Sequence, residues 1–311
     1  VSEELCLEPK EKLSCSFERI YFSRGNDFDI YQERKNLGRQ LVPSVIKAIQ
    51  GDFENTVFSF IPNTSETAFY GLTERLHEYL NEQKANKIKN LNPNASFEEI
   101  TGILSVKPRI EKLVVKDDKM RTFIANDQIR GSLVSHVYDV TYGIVNDHID
   151  TLVVLDDSVV RGTTLRDSIV RILSTLNPKK IIILSSAPQI RYPDCYGIDM
   201  SQLGKFIAFK AMVELLHDTN NDHLLEETYE KCLAQVDAPI ELMKNELIAL
   251  YDLFTYDEIN LKIGQMLKPK DLNIDVEIIF QTLEGLHNAC PNHKGDWYFS
   301  GHYPTQGGNK I

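Results

Sequence analysis

The stretch VVLDDSVVRGTT, residues 153–164, decides the fold of this 311-residue chain. The apolar run 152–155 leads directly into two neighbouring carboxylates, Asp156 and Asp157, and small residues and threonines follow. An apolar run without alternation is typical of a parallel strand that is covered on both faces. Carboxylates at the end of such a strand are costly unless a cation or hydroxyl groups meet them. The stretch therefore predicts a buried strand that ends at a polar site.

Similar segments on either side of this stretch indicate the fold class. NTVFSFIP (55–62) and KKIIILSSAP (179–188) have the composition of covered strands, and amphipathic helices are predicted over 63–80 and 163–176. Strands that alternate with helices predict an α/β fold, with a mostly parallel sheet and helices on both faces. Such sheets bind ligands at the carboxyl ends of their strands, where the two aspartates lie.

The remaining segments give weaker signals. The aromatic and β-branched content of CSFERIYFSR (15–24) predicts a strand. Apolar spacing over 30–49 predicts a helix that Pro43 interrupts, and the Lys-, Asn- and Glu-rich stretch 81–101 is interpreted as a solvated excursion. Residues 116–133 are expected to form a long polar loop.

Composition narrows the classes of function. A net charge of −11 and a pI near 5.3 argue against nucleic-acid binding through a basic face. No apolar run approaches the about 20 residues of a membrane helix, and no secretory signal is visible. Five cysteines at irregular spacing favour a reducing compartment, so we expect a cytoplasmic protein without a disulfide framework.

Two interpretations of the acidic motif follow from its residues alone. The backbone amides of 160–164 and the start of the next helix can bind an anion such as phosphate, while the two acids suit ribose hydroxyls or Mg²⁺. A sugar phosphate would use both halves of the motif. Alternatively, the acids cap the helix and pair with Arg161 or Arg166. Ser65 likewise has an ordinary interpretation as a helix N-cap.

The motif resembles the signature by which type I phosphoribosyltransferases bind phosphoribosyl pyrophosphate (PRPP). FERIYFSR (17–24), IPNTSETA (61–68), SSAPQIRYPDCYGIDM (185–200) and FSGHYPT (299–305) also occur in the order found in glutamine PRPP amidotransferases, or amidophosphoribosyltransferases. The resemblance extends over nearly the whole chain, from Cys15 to about residue 308.

The resemblance implies a type I phosphoribosyltransferase domain over 15–211 and a mainly helical extension over 212–311. Residues 1–14 would be a linker from an N-terminal glutaminase domain, and Cys6 has no nucleophilic role. In this family the glutaminase half releases ammonia from glutamine. The ammonia displaces pyrophosphate from PRPP to give 5-phosphoribosylamine, the first committed step of purine biosynthesis. A homo-oligomer and inhibition by purine nucleotides are implied in the same way.

The resemblance also assigns roles to residues. Asp156 and Asp157 would bind the ribose hydroxyls and Mg²⁺, and Ser65 would lie near the metal and pyrophosphate. Positive charge on Lys116 and Arg121 would stabilise the leaving pyrophosphate. Further substrate-binding residues implied by the motifs are Thr64, Thr67, Ser158, Arg161, Gly162, Thr163 and Thr164.

Departures from the family pattern leave alternatives open. The run of basic residues usual after RTFI (121–124) is missing, and Asn63 stands where a carboxylate is usual. A PRPP- or nucleotide-sensing protein on the same fold is therefore the alternative to the enzyme. A phosphoribosyltransferase that uses a base as nucleophile is disfavoured by the sequence at 185–200. An iron–sulfur cluster is not expected, and buried thiols are preferred over a metal site built from Cys15, Cys195, Cys290 and His293.

Overall fold

The structure is a computed structural model that describes residues 12–116, 138–194 and 200–309. Within these ranges a parallel sheet of five strands has the order β2-β1-β5-β6-β7, and β3 and β4 form a separate antiparallel ribbon. The strands are β1 (Thr56–Phe60), β2 (Arg109–Ile110), β3 (Val114–Lys116), β4 (Tyr138–Val140), β5 (Thr151–Asp156), β6 (Lys180–Ser185) and β7 (Asp275–Phe280). The predicted fold class, a mostly parallel sheet with helices, is confirmed.

Helices cover both faces of this sheet. The α-helices are α1 (Phe28–Ala48), α2 (Glu66–Lys89), α3 (Phe97–Ser105), α4 (Val170–Ser174), α5 (Ile207–Asp218), α6 (His223–Ala234), α7 (Leu247–Tyr251), α8 (Tyr256–Leu267), α9 (Leu283–Ala289) and α10 (Trp297–Ser300). A π-helical segment, Leu165–Ile169, leads directly into α4, and a second one spans Glu18–Phe22. Short 3₁₀ turns lie at Leu203–Lys205, Ile240–Leu242 and Gln306–Asn309.

The central strand β5 shows why the sheet needs two covering layers. Val153 and Leu155 pack with α1 and α2 on one face, whereas Leu152 and Val154 belong to the core on the opposite face. Successive side chains of a strand point to opposite faces, so an unbroken apolar run must be buried from both sides. All four side chains are fully buried, and the carboxylates that follow therefore lie at the end of a strand covered on both faces.

Two local predictions were wrong. The segment 15–24 is helical, because Phe17 and Ile20 are buried at helical spacing, and Phe17 packs against the rings of Tyr298 and Phe299. Pro43 does not interrupt α1, since it lies on the exposed face of the helix. Water can reach the carbonyl group that loses its partner there, so packing of the opposite face keeps the helix continuous.

The stretch 81–101 and the C-terminal region after residue 211 both contain ordered elements. Within 81–101, α2 continues to Lys89 and α3 begins behind a capping box formed by Ser96 and Glu99. After residue 211 the chain is mostly helical, but it also supplies β7, which pairs in parallel with β6. The two parts of the chain therefore share one sheet. None of the helices in the described ranges combines the length and apolar character needed to cross a membrane.

Candidate ligand site at the carboxyl end of the sheet

A cavity of about 540 Å³ opens at the carboxyl ends of β1 and β5. The loop after β1 contributes 61–64 to its lining, and the end of β5 with the following loop contributes 156–165. Phe17, Tyr21 and Phe22 line it from the N-terminal helical turn, and the ribbon, residue 169 and residue 200 complete it. The parallel register of β1 and β5 brings the two loops to the same edge of the sheet.

Asp156 and Asp157 both line this cavity. The Asp157 amide donates to Oδ1 of Asp156 (2.9 Å), and the Ser158 hydroxyl donates to Oδ1 of Asp157 (3.0 Å). The amides of Ser186 and Ala187 donate to the backbone carbonyls of Asp156 and Asp157, so the chain is held firmly here. None of the ion pairs formed among the described residues involves either carboxylate.

The surroundings of the two carboxyl groups oppose their ionisation. Burial and, second, the charge of Asp157 raise the pKa of Asp156 well above its ordinary value. Burial also raises the pKa of Asp157, although the hydroxyls of Ser158 and Thr64 and the more distant charge of Arg34 act against that rise. A bound cation would relieve the repulsion between the two groups, so the pair suits a metal ion or a hydroxyl-rich ligand.

The loop after the carboxylates is shaped by Gly162. Its φ of +70° lies in the left-handed region, and a Cβ atom there would lie 2.3 Å from Cδ1 of Ile207. The Ile207 amide donates to the carbonyl of Val160 (2.8 Å), which anchors the loop to α5. Thr163 and Thr164 are exposed to the cavity at the start of the helical segment. Backbone amides and hydroxyls at such a place can bind an anion.

The capping interpretation finds less support. Arg166 pairs with its neighbour Asp167 (2.7 Å between Nε and Oδ1) and not with the carboxylate pair. Its amide donates to the Gly162 carbonyl as part of the helical turn. Arg161 lines the cavity together with Ser158. Asp156 and Asp157 line the cavity, and their described side-chain contacts include the Asp157 amide and the Ser158 hydroxyl rather than Arg166.

Of the predicted residues in and after the β1 loop, Thr64 lines the cavity, whereas Ser65 and Thr67 do not. Thr64 lines the cavity, but Ser65 is 1% exposed, and its hydroxyl donates to the carbonyl of Ile61. Ser65 occupies the N-cap position of α2 without a side-chain capping bond. Thr67 is partly buried in the first turn of α2 and does not line the cavity. The Pro62–Asn63 peptide bond is cis, and Asn63 lies in the cavity wall.

The predicted cationic residues are only partly described. Lys116 lines the cavity at the end of β3, opposite Tyr138 in the ribbon. Arg121 and Cys195 lie outside the described residues. Tyr138 was not predicted from the sequence. Burial, followed by the charges of Asp156 and Asp157, raises the pKa of its hydroxyl.

Two further features of the site were missed by the sequence predictions. One is the aromatic wall, a name used here for Phe17, Tyr21 and Phe22, which lie some 140 residues before the acidic motif. The other is Arg34, buried on α1. The sequence did indicate that Arg34 is buried, because it lies four residues after Ile30 and three before Leu37, on the apolar face of the predicted helix.

The sulfur and histidine side chains do not form a metal centre among the residues described. Burial raises the pKa of Cys290 to about 12 and that of Cys15 to about 11, so both thiols stay protonated at neutral pH. His293 Nδ1 lies 3.8 Å from Oε1 of Glu33. In the described ranges no group of three or more His, Cys, Asp or Glu side chains is placed to hold a metal ion.

The five-stranded parallel sheet with helices on both faces has the fold of type I phosphoribosyltransferase domains, and its cavity lies at the carboxyl edge of the sheet. Among solved structures, the chain is similar to the glutamine PRPP amidotransferase from Bacillus subtilis complexed with ADP and GMP (TM-score 0.53, 24% identity). That match covers 96% of this chain and 48% of the other. The structure of the allosteric regulatory enzyme of purine biosynthesis is similar at a TM-score of 0.52 and 23% identity, covering 94% and 46%.

Curated relatives agree with the structures. The amidophosphoribosyltransferase of Escherichia coli is 28% identical over 209 residues, 65% of this chain and 35% of that protein. The Bacillus subtilis enzyme is 30% identical over 205 residues (64% and 35%), and that of Schizosaccharomyces pombe is 26% identical over 225 residues (70% and 36%). No protein-family model matches the chain.

These comparisons confirm the resemblance found in the sequence. Over about two thirds of its length, the chain is homologous to the C-terminal part of the amidophosphoribosyltransferases. It spans only about a third of the length of the curated relatives that it matches.

Proposed function

We propose that this chain is the phosphoribosyltransferase portion of an amidophosphoribosyltransferase, which displaces the pyrophosphate of PRPP with ammonia to give 5-phosphoribosylamine. The carboxylate pair Asp156–Asp157, open to the cavity and bound to no cation of the described residues, is the observation that carries the proposal. The neighbouring Gly162 loop supports it, because the two features together suit a ribose and a phosphate.

In this proposal, each part of PRPP has its own place in the cavity. The two carboxylates would accept hydrogen bonds from the ribose hydroxyls, and the amides and hydroxyls of 161–164 would hold the 5-phosphate. Thr64 and Asn63, on the loop after β1, would approach the pyrophosphate from the other wall. A volume of about 540 Å³ falls within the usual range for small-molecule sites.

The same carboxylates fit Mg²⁺ in a particular way. This ion commonly takes one or two protein carboxylates and completes its octahedral shell with substrate oxygens and water. Among the described residues the two acids are not part of a larger group of metal-binding side chains, which agrees with this preference of Mg²⁺. When bound with PRPP, Mg²⁺ would neutralise part of the charge on the departing pyrophosphate. Ser65 is buried beneath the cavity wall and does not line the cavity, so it would join the shell only after a local movement of the loop.

The proposed reaction is a substitution at the anomeric carbon. The nitrogen lone pair of ammonia forms the new C–N bond, the C–O bond to pyrophosphate breaks, and pyrophosphate leaves with that electron pair. The nitrogen then gives one proton to water. Positive charge develops on the ribose ring, where the carboxylate pair would stabilise it, and Lys116 would stabilise the negative charge of the leaving pyrophosphate. Walls that exclude water would limit hydrolysis.

Several partners belong to the same proposal. The matched relatives are about three times as long as the matched segment, which leaves room for a glutaminase domain that supplies ammonia. The Bacillus subtilis structure contains ADP and GMP, so purine nucleotides are candidate inhibitors here. We also propose that the protein is a cytoplasmic homo-oligomer, which is what the resemblance to this family implies.

One observation favours the alternative function, a PRPP- or nucleotide-sensing protein on the same fold. Ser65, the residue assigned to metal and pyrophosphate, is buried, donates its hydroxyl proton to the Ile61 carbonyl and does not line the cavity. A sensor would bind PRPP through the carboxylate pair and the Gly162 loop without releasing pyrophosphate.

Pyrophosphate release separates these functions. The chain is incubated with PRPP, Mg²⁺ and ammonium at mildly alkaline pH, beside the double variant Asp156→Asn/Asp157→Asn and the control Asp147→Asn, which changes an exposed acid. Ammonium-dependent release by the wild type and the control, but not by the double variant, supports the transferase. PRPP binding without pyrophosphate release supports the sensor. If the chain shows no PRPP binding and no pyrophosphate release, both functions are refuted.

A further inference from the structure

Arg34 is a buried cation whose hydrogen bonds all go to one short segment of backbone. It lies on α1 and is 7% exposed. Its Nε donates to the carbonyl of Arg19 (3.0 Å), and its Nη2 donates to those of Ser23 (2.7 Å) and Tyr21 (3.4 Å). None of the ion pairs among the described residues includes Arg34. Its guanidinium therefore binds main chain rather than a carboxylate.

The segment that Arg34 binds cannot satisfy its own carbonyl groups. A backbone bond from the Ser23 amide to the Glu18 carbonyl (2.7 Å) lies at the end of the π-helical turn Glu18–Phe22, after which the chain is no longer helical. The last carbonyls of any helix lack helical partners, and in a single turn they form most of the element. Arg34 supplies donors to three of these carbonyls, and so it fixes a turn that would otherwise be weakly defined.

This turn carries the aromatic wall of the cavity. Phe17 is buried and anchors the wall, but Tyr21 and Phe22 are 48% and 61% exposed. The Phe17 and Tyr21 rings stack at 6.1 Å between centroids, and the Tyr21 and Phe22 rings meet edge to face at 5.1 Å. Exposed rings receive little restraint from packing, so their position over the cavity depends on the backbone beneath them.

We propose that Arg34 is a positioning residue, which holds Tyr21 and Phe22 in the place where they close one side of the cavity over bound ligand. The identity of that ligand as PRPP rests on the proposed function above. The shape of the guanidinium is required as well as its charge, since one planar fork spans three carbonyls. The ammonium group of a lysine cannot reproduce that arrangement.

A double-mutant cycle on PRPP affinity in the presence of Mg²⁺ tests this role. Arg34→Met and Arg34→Lys are each made in the wild type and in Tyr21→Ala/Phe22→Ala, with Arg39→Met as control. Arg39 lies on the same helix and pairs at the surface with Glu78 (2.6 Å). We expect Arg34→Met and Arg34→Lys to weaken binding about tenfold in the wild type but less than twofold where the rings are missing. Arg39→Met should change little in either background.

The same loss in both backgrounds would overturn the proposal, because Arg34 would then act by a route other than the aromatic wall. Full rescue by Arg34→Lys would also overturn it, since charge alone would suffice. Fluorescence of Trp297, the single tryptophan, identifies any variant that fails to fold. If Arg34→Met fails to fold, the comparison between the two backgrounds is made with Arg34→Lys.

Hydrogen exchange without PRPP separates this inference from the proposed function. Arg34→Met should speed amide exchange across 18–24, whereas Arg39→Met should not. Unchanged exchange refutes the positioning role even if PRPP binds. If the wild type does not bind PRPP, the proposed function fails, and with it the ligand-closing role of the wall.

Discussion

The two ends of β5 carry buried carboxylates in opposite situations. Asp150, immediately before the strand, is fully buried, and it accepts from Arg109 Nη1 (2.7 Å) and from the Asn146 amide (2.7 Å). Asp156 and Asp157, at the other end, are paired with no cation of the described residues and open into the cavity. One end of β5 therefore carries a carboxylate that is paired with an arginine. The other end carries two carboxylates that have no cationic partner among the described residues.

The difference separates a structural charge from a functional one. Burial opposes ionisation of Asp150, but its bonds to Arg109 and Asn146 outweigh burial and lower its pKa. Burial raises the pKa of both Asp156 and Asp157. A group whose charge is left without a partner inside a fold costs stability, and such groups concentrate at sites that bind ligands. The comparison therefore predicts which acid can be removed without harming the fold.

Removing Asp150 should have the largest effect on stability. In Asp150→Ala the Arg109 guanidinium, which also binds the Ile144 carbonyl (2.9 Å), keeps its charge in a mostly buried place without a counterion. We expect a loss of about 3–5 kcal/mol in the free energy of unfolding by urea. Asp147→Ala, which changes an exposed acid in the same loop, should lose less than about 0.5 kcal/mol. Similar losses in the two variants would contradict the account.

The two ends of β5 should also differ in pH dependence. The pKa of Asp150 is lowered on folding, so its contribution is present above its unfolded value near 4 and is lost as the pH falls through the folded value. The pKa values of Asp156 and Asp157 are raised, so their protonated forms favour folding, and that gain is lost as the pH rises through the folded values. Urea unfolding between pH 3 and 8 should show that the free energy of unfolding of the wild type decreases at acid pH. The decrease should be smaller for Asp150→Ala.

A substitution at Gly162 should affect the cavity more than the fold. Gly162→Ala combines a left-handed backbone with a contact against Ile207, so we expect about tenfold weaker PRPP binding and a stability loss of about 1–2 kcal/mol. Gly143→Ala is the matched control, because Gly143 has φ +82° with no atom within 4 Å of the added Cβ. It should lose comparable stability but bind PRPP normally. Equal binding by both variants would show that the loop shape is unimportant.

The smallest expected effect is a gain. Asp156→Asn removes a charge that the fold does not neutralise, and it should raise the free energy of unfolding by about 1 kcal/mol at pH 7. The gain should shrink as the pH falls, because the wild-type carboxyl then takes up its proton. Urea unfolding at two pH values measures both quantities. A loss of stability at pH 7 would mean that the pair is structural after all.

The sheet could be predicted where the sequence records burial directly. The run 152–155 is apolar on both faces, and covering layers are the ordinary cause of that pattern. The aromatic segment 15–24 misled because aromatic rings suit any buried position, and only the partners of Phe17 in α10 decide for a helix. Strand β7 was missed because its buried positions alternate within a region that is otherwise helical.

The residues of the candidate site also fall into two groups, those that local sequence could predict and those that only the tertiary fold brings together. Asp156, Asp157 and Gly162 belong to one continuous motif, so local sequence was enough to find them. Tyr138 and the aromatic wall reach the cavity from distant segments, and only the tertiary fold brings them there. The role of Ser65 stays a prediction, because its buried hydroxyl donates to the Ile61 carbonyl and it does not line the cavity.

Calorimetric titration of PRPP with Mg²⁺ tests most directly whether the open end of β5 is the ligand site. The wild type, Asp156→Asn/Asp157→Asn and Asp147→Asn are compared under one set of conditions. Because hydrogen bonds to charged groups contribute about 1.5–3 kcal/mol each, the double variant should bind at least about 100-fold more weakly, with Asp147→Asn unchanged. Equal affinity in all three proteins, or no binding by the wild type, would contradict the account.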